Sequence, residues 1–412
     1  FDVGALLRRL GDRTGKVVVT QPDAVAAIAK RVGDSPVQVL RDALLVGEFH
    51  AYAQFLPSRA YAIDFAFFGQ TIDGSDEAES RSTRAVAFAV AAVPDEVSRP
   101  YVARYFTPET KASAEAMVKE IIAAMDRRID RLDWMTPATR SRAHAKLAAF
   151  TAKIGYPDRW HDYRGLALKP DDLFGNALRA RRWQQAWNIG KAGKPPYRWE
   201  WSSTPMTVDA FADFPMIAIT FPAAILQPPF FDPHADMAVN YGGIGAVIGH
   251  ELSHQFDDQG SRYDPTGRLT TWWTEADLAA FASRTDKLVR QFSAYEPLPG
   301  MHIDGRLTLG ENLADLAGLY VAHDAYGHAL GGKPAPDIDG FSGDQRFFLG
   351  WAQMWRYKYR EADMRKRLLT NPHSPGEQRV WTMRNLDAWY PAFGVRPGQR
   401  LYLEPSQRVR VW

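Results

Sequence analysis

Cysteine is absent from this chain of 412 residues. No disulfide can therefore brace the fold, and no thiolate can act as a metal ligand or a nucleophile. Long apolar runs are absent as well, since no stretch approaches the roughly 20 residues that cross a bilayer. We therefore expect no membrane span. The net charge is only +2, which gives no basis for a polyanion-binding surface, so we expect no nucleic-acid partner.

Helical signals dominate the first part of the chain. Thr107 and Pro108 have the residue types of a helix cap and of a first helical position. Farther on, proline and aromatic residues become dense, and residues 217–221 have the pattern of a strand, which we expect to be the edge along which an extended peptide lies. We therefore predict a mixed α+β fold, predominantly helical, divided into residues 1–165 and 166–412.

The strongest chemical signal is the run His-Glu-Leu-Ser-His at residues 250–254. Residues four apart share one helix face, so His250 and His254 can both point at one metal ion. Glu251 lies three residues before His254, where its carboxylate can take a proton from water at the open side of that ion. Residue usage produces this pattern by chance in about one chain of this length per hundred. A solvated helix face carrying two histidines is the alternative.

A second motif places Glu311 and Asp315 four residues apart on a predicted helix over residues 309–320. Two carboxylates on one helix face repel each other unless a positive group lies near them. A zinc ligand at Glu311, and a carboxylate at Asp315 that holds the far nitrogen of His250, resolve this repulsion. Together the motifs predict one Zn²⁺ ion per chain, held by His250, His254 and Glu311. A solvated acidic face is the alternative.

Around these residues the chain resembles the neprilysin-type zinc metallopeptidases, peptidase family M13. The similarity runs over nearly the whole chain, in residues 132–135, 154–157, 219–231, 240–251, 307–315, 373–379 and 410–412. It implies a gluzincin (thermolysin-like) catalytic domain in residues 166–412, and part of a helical lobe that covers the cleft in residues 1–165. It also implies a peptidase that cleaves oligopeptides on the amino side of hydrophobic residues, by Glu-assisted attack of zinc-bound water.

The resemblance implies further site residues. Beside Glu251 and Asp315, His373 is similar to the family histidine that stabilises the oxyanion, and Arg379 to the arginine that grips a substrate carbonyl. The backbone of the substrate is expected at Asp209 and Ala210. The apolar pocket for the residue after the scissile bond is expected to be lined by Ile225, Phe230, Val247, Met354 and Trp355. Without the resemblance, these apolar residues would be ordinary core residues.

Asp209 departs from the family pattern, which has Asn at this position. An ionised Asp can only accept hydrogen bonds, so the donor half of the substrate contact is lost. One hypothesis is that Asp209 favours substrates with a donor or positive charge, such as a free amino terminus. The alternative is that it accepts one backbone N–H and changes little.

Animal members of the family carry several disulfides, so the lack of cysteine indicates a bacterial relative, which we expect to be periplasmic or secreted rather than cytoplasmic. Family members extend farther upstream than Phe1. Our hypothesis is that this chain is the C-terminal piece of a longer protein, with the N-terminal segment as a companion chain. Two other functions stay open: a peptide-binding remnant that is inactive without that segment, and a zinc hydrolase of non-peptide amides.

Overall fold

The computed structural model describes residues 2–412, and helices dominate it, as predicted. In chain order, the α-helices and strands are α1 (Val3–Leu10), α2 (Pro22–Asp34), α3 (Val37–Tyr52), α4 (Ser58–Asp64), α5 (Arg81–Ala92), α6 (Pro94–Tyr105), α7 (Pro108–Ile129), α8 (Pro137–Ala148), β1 (Thr151–Gly155), α9 (Leu173–Gly190), β2 (Phe211–Asp213), β3 (Ala218–Pro222), α10 (Met237–Asn240), α11 (Ala246–His254), α12 (Glu275–Ser293), α13 (Leu309–Ala329), α14 (Gly343–Met354), α15 (Glu361–Thr370), α16 (Gly376–Val380) and α17 (Trp389–Phe393). Within residues 2–412, no helix combines the length and the apolar character that crossing a membrane requires.

The chain forms two compact units, each made of two stretches of sequence. One unit contains residues 2–97 and 160–198, and the other contains residues 98–159 and 199–412. Residues 98–159 join the second unit because β1 pairs in parallel with β3, which comes much later in the chain. These units differ from the single division that the sequence suggested near residue 165, and the assignment of residues 1–165 and 166–412 to two domains stays a prediction.

The first unit consists of helices with few buried side chains. Helices α1 to α4 bury none of their residues, and α9 buries only Ala177 and Ala180. Some large apolar side chains are strongly exposed, such as Val37 at 81% and Leu44 at 70%. The start of α9 is nevertheless well formed, since the Asp172 side chain accepts a hydrogen bond from the N–H of Gly175.

The second unit has a continuous apolar core, to which α7 contributes a full stripe. Met117, Ile121, Met125 and Ile129 are buried at helical spacing, and Ile122 is half-buried beside them. The predicted start of this helix is confirmed, because the Thr107 side chain accepts a hydrogen bond from the N–H of Thr110 and Pro108 is the first helical residue.

The sheet has the strand order β1-β3-β2, which corrects one expectation. The strand predicted at residues 217–221 is β3, and it is the central strand instead of an edge, with every residue buried. Its run of mostly apolar residues lacks the alternation of a half-exposed strand, because both of its faces and both of its edges are covered. The short antiparallel strand β2 lies at one edge of the sheet.

Helices α11 and α13 cross at a very short distance, and this crossing positions the two predicted motifs. A Cβ at Gly318 would lie 2.3 Å from the carbonyl oxygen of Ala246, so only glycine fits there. A π-helical segment, Tyr241–Gly245, leads into α11, and the helix ends at His254. The close approach brings the start of α13 next to the histidines of α11.

Candidate metal centre and active site

Three side chains from α11 and α13 meet at one point. The Nε2 atoms of His250 and His254 lie 3.1 Å apart. One Glu311 oxygen, Oε2, lies 3.2 Å from the Nε2 of His250 and 3.6 Å from that of His254. The structure therefore brings the three predicted ligands together in a cluster that could hold a metal ion.

A carboxylate holds the far nitrogen of each imidazole. The Nδ1 of His250 lies 2.9 Å from an oxygen of Asp315, the predicted partner. The Nδ1 of His254 lies 2.7 Å from an oxygen of Asp257, which the sequence analysis did not single out. Because a carboxylate accepts a hydrogen bond from each Nδ1–H, each Nε2 presents its lone pair to the shared point.

The donor set fits a zinc ion. Two lone pairs and a carboxylate oxygen at these distances repel one another unless a cation lies between them, and Glu311 Oε2 is a buried atom without a hydrogen-bond partner. Zinc binds imidazole nitrogen and carboxylate oxygen at about 2.0–2.2 Å in tetrahedral geometry, which separates the donors by about 3.3 Å. The observed separations lie close to this value.

Glu251 lies beside the cluster without belonging to it. Its Oε1 is 3.9 Å from the Nε2 of His250, and the residue is only 7% exposed. Burial raises the pKa of the Glu251 carboxyl, while the two histidines act to lower it. A buried carboxylate with a raised pKa has the properties of a general base.

Asp315 is also bound to Arg379, which ties α16 to the metal cluster. The guanidinium donates to both Asp315 oxygens, at 2.8 and 2.6 Å, and both side chains are buried. Burial acts to raise the pKa of Asp315, but the charge and hydrogen bonds of Arg379 and His250 hold it below its usual value. The guanidinium also stacks on Trp355, 3.7 Å from the ring centre.

His373 lies next to Glu311, with 3.0 Å between its Nε2 and Glu311 Oε2, and its side chain is 40% exposed. The loop that carries it is fixed to α13, because the hydroxyl of Ser374 donates to Asn312 Oδ1 at 2.7 Å. Ser374 and Asn312 are both buried. Asn312 thus positions the His373 loop, a contact that no local sequence pattern reveals.

A cavity of about 1000 Å³ opens over the cluster. Its lining contains most of the predicted site residues, namely Asp209, Ala210, Ile225, Phe230, Val247, His250, Glu251, His254, Glu311, Asp315, Trp355, His373 and Arg379. Met354 is the exception, because it is buried at 4% exposure and its sulfur lies toward Gly243. Trp351, three residues earlier on α14, lines the cavity instead.

Asp209 lies at the cavity just before the edge strand β2. It is exposed, and one of its carboxylate oxygens accepts a hydrogen bond from the N–H of Ala210 at 2.9 Å. The sequence left open the alternative that Asp209 merely accepts one backbone N–H, and this contact is of that kind. The contact does not test how Asp209 affects substrates, so both alternatives remain.

Known proteins resemble this chain in sequence and in fold. The neutral endopeptidase of Lactobacillus helveticus is 30% identical over the whole chain and 62% of its own length. Human neprilysin is 33% identical over 86% of the chain and 49% of its own length. The crystal structure of the Mycobacterium tuberculosis zinc metalloprotease Zmp1 with an inhibitor has a TM-score of 0.94 and 44% identity, covering all of this chain and 64% of that one.

This chain thus spans between about half and two thirds of the length of these relatives. None of these comparisons supports the predicted companion chain, which stays a prediction. Two sequence models described as peptidase family M13 match residues 1–157 and 210–409, well over half of the chain. The chain therefore belongs to peptidase family M13, the neprilysin-type family that its motifs indicated.

Proposed function

We propose that this protein is a zinc-dependent peptidase that hydrolyses peptide bonds of oligopeptides. The observation that carries the proposal is the position of Glu251, a buried carboxylate beside a three-donor metal cluster at the floor of a large cavity. All the proposed site residues lie between 209 and 379, within the predicted catalytic domain of residues 166–412. The relatives named above support a peptidase, since two are an endopeptidase and a metalloprotease by name.

His250, His254 and Glu311 would hold the zinc. A zinc ion held there would supply Lewis acidity, which polarises a substrate carbonyl and makes water more acidic. Glu251 accepts the proton of the attacking water at a carboxylate oxygen and passes it to the nitrogen of the leaving amine. Asp315 keeps the proton of His250 on Nδ1, so that Nε2 stays a ligand.

His373 and Arg379 are suited to hold the substrate carbonyl oxygens. His373 is partly exposed in the cavity, where its Nε2–H can donate to the oxygen on which negative charge develops. Arg379 uses Nε and Nη2 for Asp315, and its Nη1 has no acceptor among the described residues. The Nη1 donors are therefore suited to a substrate backbone carbonyl.

The expected preference for a hydrophobic residue after the scissile bond rests on the apolar side chains near the cluster. Ile225, Phe230, Val247, Trp351 and Trp355 line the cavity together. An apolar side chain that leaves water for such a surface gains about 25 cal/mol per Å². An extended peptide can add to β2, the edge strand beside the cavity, through backbone hydrogen bonds.

Cleavage of a mixed peptide library, read by mass spectrometry, tests the proposal. We expect cleavage before hydrophobic residues, its loss with a chelator and its return with zinc. Glu251→Gln should bind zinc but lose at least about a thousandfold in turnover, because the proton acceptor is gone. Glu377→Gln, which removes an exposed carboxylate on α16, is the matched control and should stay active.

The same assay separates the alternatives. A peptide-binding remnant would retain library peptides without cutting them, and a hydrolase of non-peptide amides would leave them uncut and unbound. Substantial residual turnover in Glu251→Gln would contradict the role given to Glu251.

A further inference from the structure

Lys146 is a fully buried lysine outside the predicted site. It lies on α8 with 0% exposure, and its ammonium donates to three backbone carbonyls. The acceptors belong to Gln255 at 2.7 Å, and to Gly260 and Tyr263 at 2.8 Å each. An ammonium has three N–H donors, so all of its donors are used.

These carbonyls belong to one short segment, residues 255–263, which begins directly after the ligand His254. Gln255 is the C-terminal cap of α11, where the carbonyl ends of the helix favour a positive charge. The segment folds back tightly on the helix, since a Cβ at Gly260 would lie 2.1 Å from the carbonyl oxygen of His254. Lys146 therefore binds both ends and the middle of the segment 255–263.

The same segment carries the carboxylate that orients His254. Asp257 lies between the Gln255 and Gly260 carbonyls and is 1% exposed. One of its oxygens accepts the N–H groups of Gln259 and Gly260, and the other faces the Nδ1 of His254 at 2.7 Å. The direction of the Asp257 carboxylate thus depends on the backbone that Lys146 binds.

We propose that Lys146 is a positioning residue for the metal site, acting on His254 through residues 255–263 and Asp257. The inference rests on the proposed zinc site, and it adds a group that touches neither the metal ligands nor the cavity. The ammonium is not one half of a simple ion pair, because no carboxylate lies within ion-pair distance of it among the described residues. The ring centres of Phe256 and Trp272 lie 5.9 and 5.4 Å from the ammonium nitrogen.

A purely structural role is the competing explanation, and the zinc affinity of the folded protein separates the two. Burial lowers the pKa of Lys146 to about 7, although the charges of Asp257 and Asp264 act to raise it, so the burial of this charge opposes folding. Replacing Lys146 by an apolar side chain removes this buried charge but leaves three buried carbonyls without their donor, which lowers stability whichever explanation holds. A group that serves stability alone would leave the zinc affinity of the folded protein unchanged, whereas loss of a positioning group would lower it.

The test is the zinc affinity of Lys146→Met, measured by competition with a chromophoric chelator, together with the visible spectrum of the cobalt-substituted protein. We expect zinc affinity to fall by roughly tenfold, as for other groups that orient metal ligands, and the cobalt bands to shift. Lys146→Arg and Lys146→Gln keep some donors and should lie between the wild type and Lys146→Met. They provide the test if Lys146→Met fails to fold.

Thr139→Val is the matched control, because Thr139 is buried on the same helix but donates to Asp277 instead of residues 255–263. It should keep wild-type zinc affinity even if it lowers the melting temperature. If Lys146 acts through Asp257, adding Lys146→Met to Asp257→Asn should weaken zinc binding no further. Wild-type affinity in Lys146→Met, or fully additive losses in the double variant, would overturn the inference. Lack of zinc binding by the wild type would instead contradict the proposed function.

Discussion

His250 and His254 lie four residues apart on one helix, yet the two sides of the metal site around them are built differently. On the His250 side, the orienting carboxylate is Asp315, which comes 65 residues later on α13 and is held by Arg379 of α16. On the His254 side, the carboxylate is Asp257, only three residues along the chain. One side joins three separate elements, and the other is a local turn.

The two halves of one metal site therefore depend on long-range packing to different extents. Asp315 and Arg379 form a buried charge pair, so the His250 side is coupled to the packing of α11, α13 and α16. Asp257 is held by the N–H groups of Gln259 and Gly260 in its own segment. Damage to the first side should therefore lower both stability and zinc affinity, and damage to the second should act mainly on zinc.

The largest effect is expected from Asp315→Asn, which breaks the long-range side. It leaves Arg379 buried without its paired carboxylate, so we expect the free energy of unfolding of the metal-free protein to fall by about 3–5 kcal/mol. Zinc affinity should also fall by at least about tenfold. Chemical denaturation and chelator competition measure the two losses.

The double variant Asp315→Asn with Arg379→Met separates these losses. Removal of the stranded charge should restore much of the stability, but not the zinc affinity, since His250 still lacks its carboxylate. Glu377→Gln removes an exposed carboxylate that pairs with Arg400 and is expected to change neither quantity. Full stability in Asp315→Asn alone would show that the two sides do not differ in this way.

The next effect is expected from Asp257→Asn, which breaks the local side. Zinc affinity should fall by about 10–100-fold, because the amide no longer fixes the tautomer of His254. Stability should fall by only about 1 kcal/mol, since the side-chain oxygen can still accept the backbone N–H groups.

Asp258→Asn is the matched control for Asp257→Asn. Asp258 also lines the cavity and has a pKa that burial raises to about 6, but no hydrogen bond joins it to either histidine in the described structure. A stability loss in Asp257→Asn as large as that of Asp315→Asn would erase the proposed contrast between the two sides.

The sequence was most informative where regular helical spacing determines the positions of the site residues. The spacing of His250, His254, Glu311 and Asp315 predicts which atoms can meet, because helix geometry is the same in every protein. Asp257 had an equally simple spacing from His254 and was overlooked, since an Asp just after a helix end is common in turns. Lys146 has no such signal, because its partners are backbone carbonyls more than a hundred residues away.

In the fold too, features set by local sequence were predictable and features set by distant neighbours were not. Helices α7 and α8 begin at Thr-Pro pairs whose local chemistry is sufficient to predict the start. The position of β3 in the sheet depends instead on which strands cover its two edges, and a single strand carries no record of its neighbours. The inward direction of Met354 likewise depends on how α14 is rotated against the segment around Gly243.

Asp277 sharpens the comparison, because it is a third buried carboxylate and is held by neutral donors alone. Its two oxygens accept hydrogen bonds from the N–H and hydroxyl groups of Thr136 and Thr274, and from the hydroxyl of Thr139. Burial acts to raise the pKa of Asp277, but these hydrogen bonds outweigh it and hold the pKa below its usual 3.8. The ionised group thus stabilises the fold above pH 3.8, and that contribution disappears as pH falls through the lower, folded-state pKa.

We therefore expect Asp277→Asn to cost about 1–3 kcal/mol in the free energy of unfolding near neutral pH. The cost should shrink as the pH is lowered below 3.8. Denaturation of the wild type and the variant across this range measures it, and Asp286→Asn, a half-exposed change on the same helix, should show almost no difference. A cost that stays constant or grows at low pH would contradict the assigned ionisation.

The smallest effect is expected from Asp209→Asn, at the opposite limit of exposure. One oxygen of Asp209 accepts the N–H of Ala210, and the other has no hydrogen-bond partner among residues 2–412, so its charge can act on a substrate. An exposed charge pair contributes about 0.2–1 kcal/mol, so the variant should lose about 1.5–5-fold of any preference for peptides with a free amino terminus over blocked ones. Competition between the two peptides in one reaction measures this ratio, and Asp258→Asn removes a charge elsewhere in the cavity as the control. Equal ratios in the wild type and Asp209→Asn would leave Asp209 with its backbone contact alone.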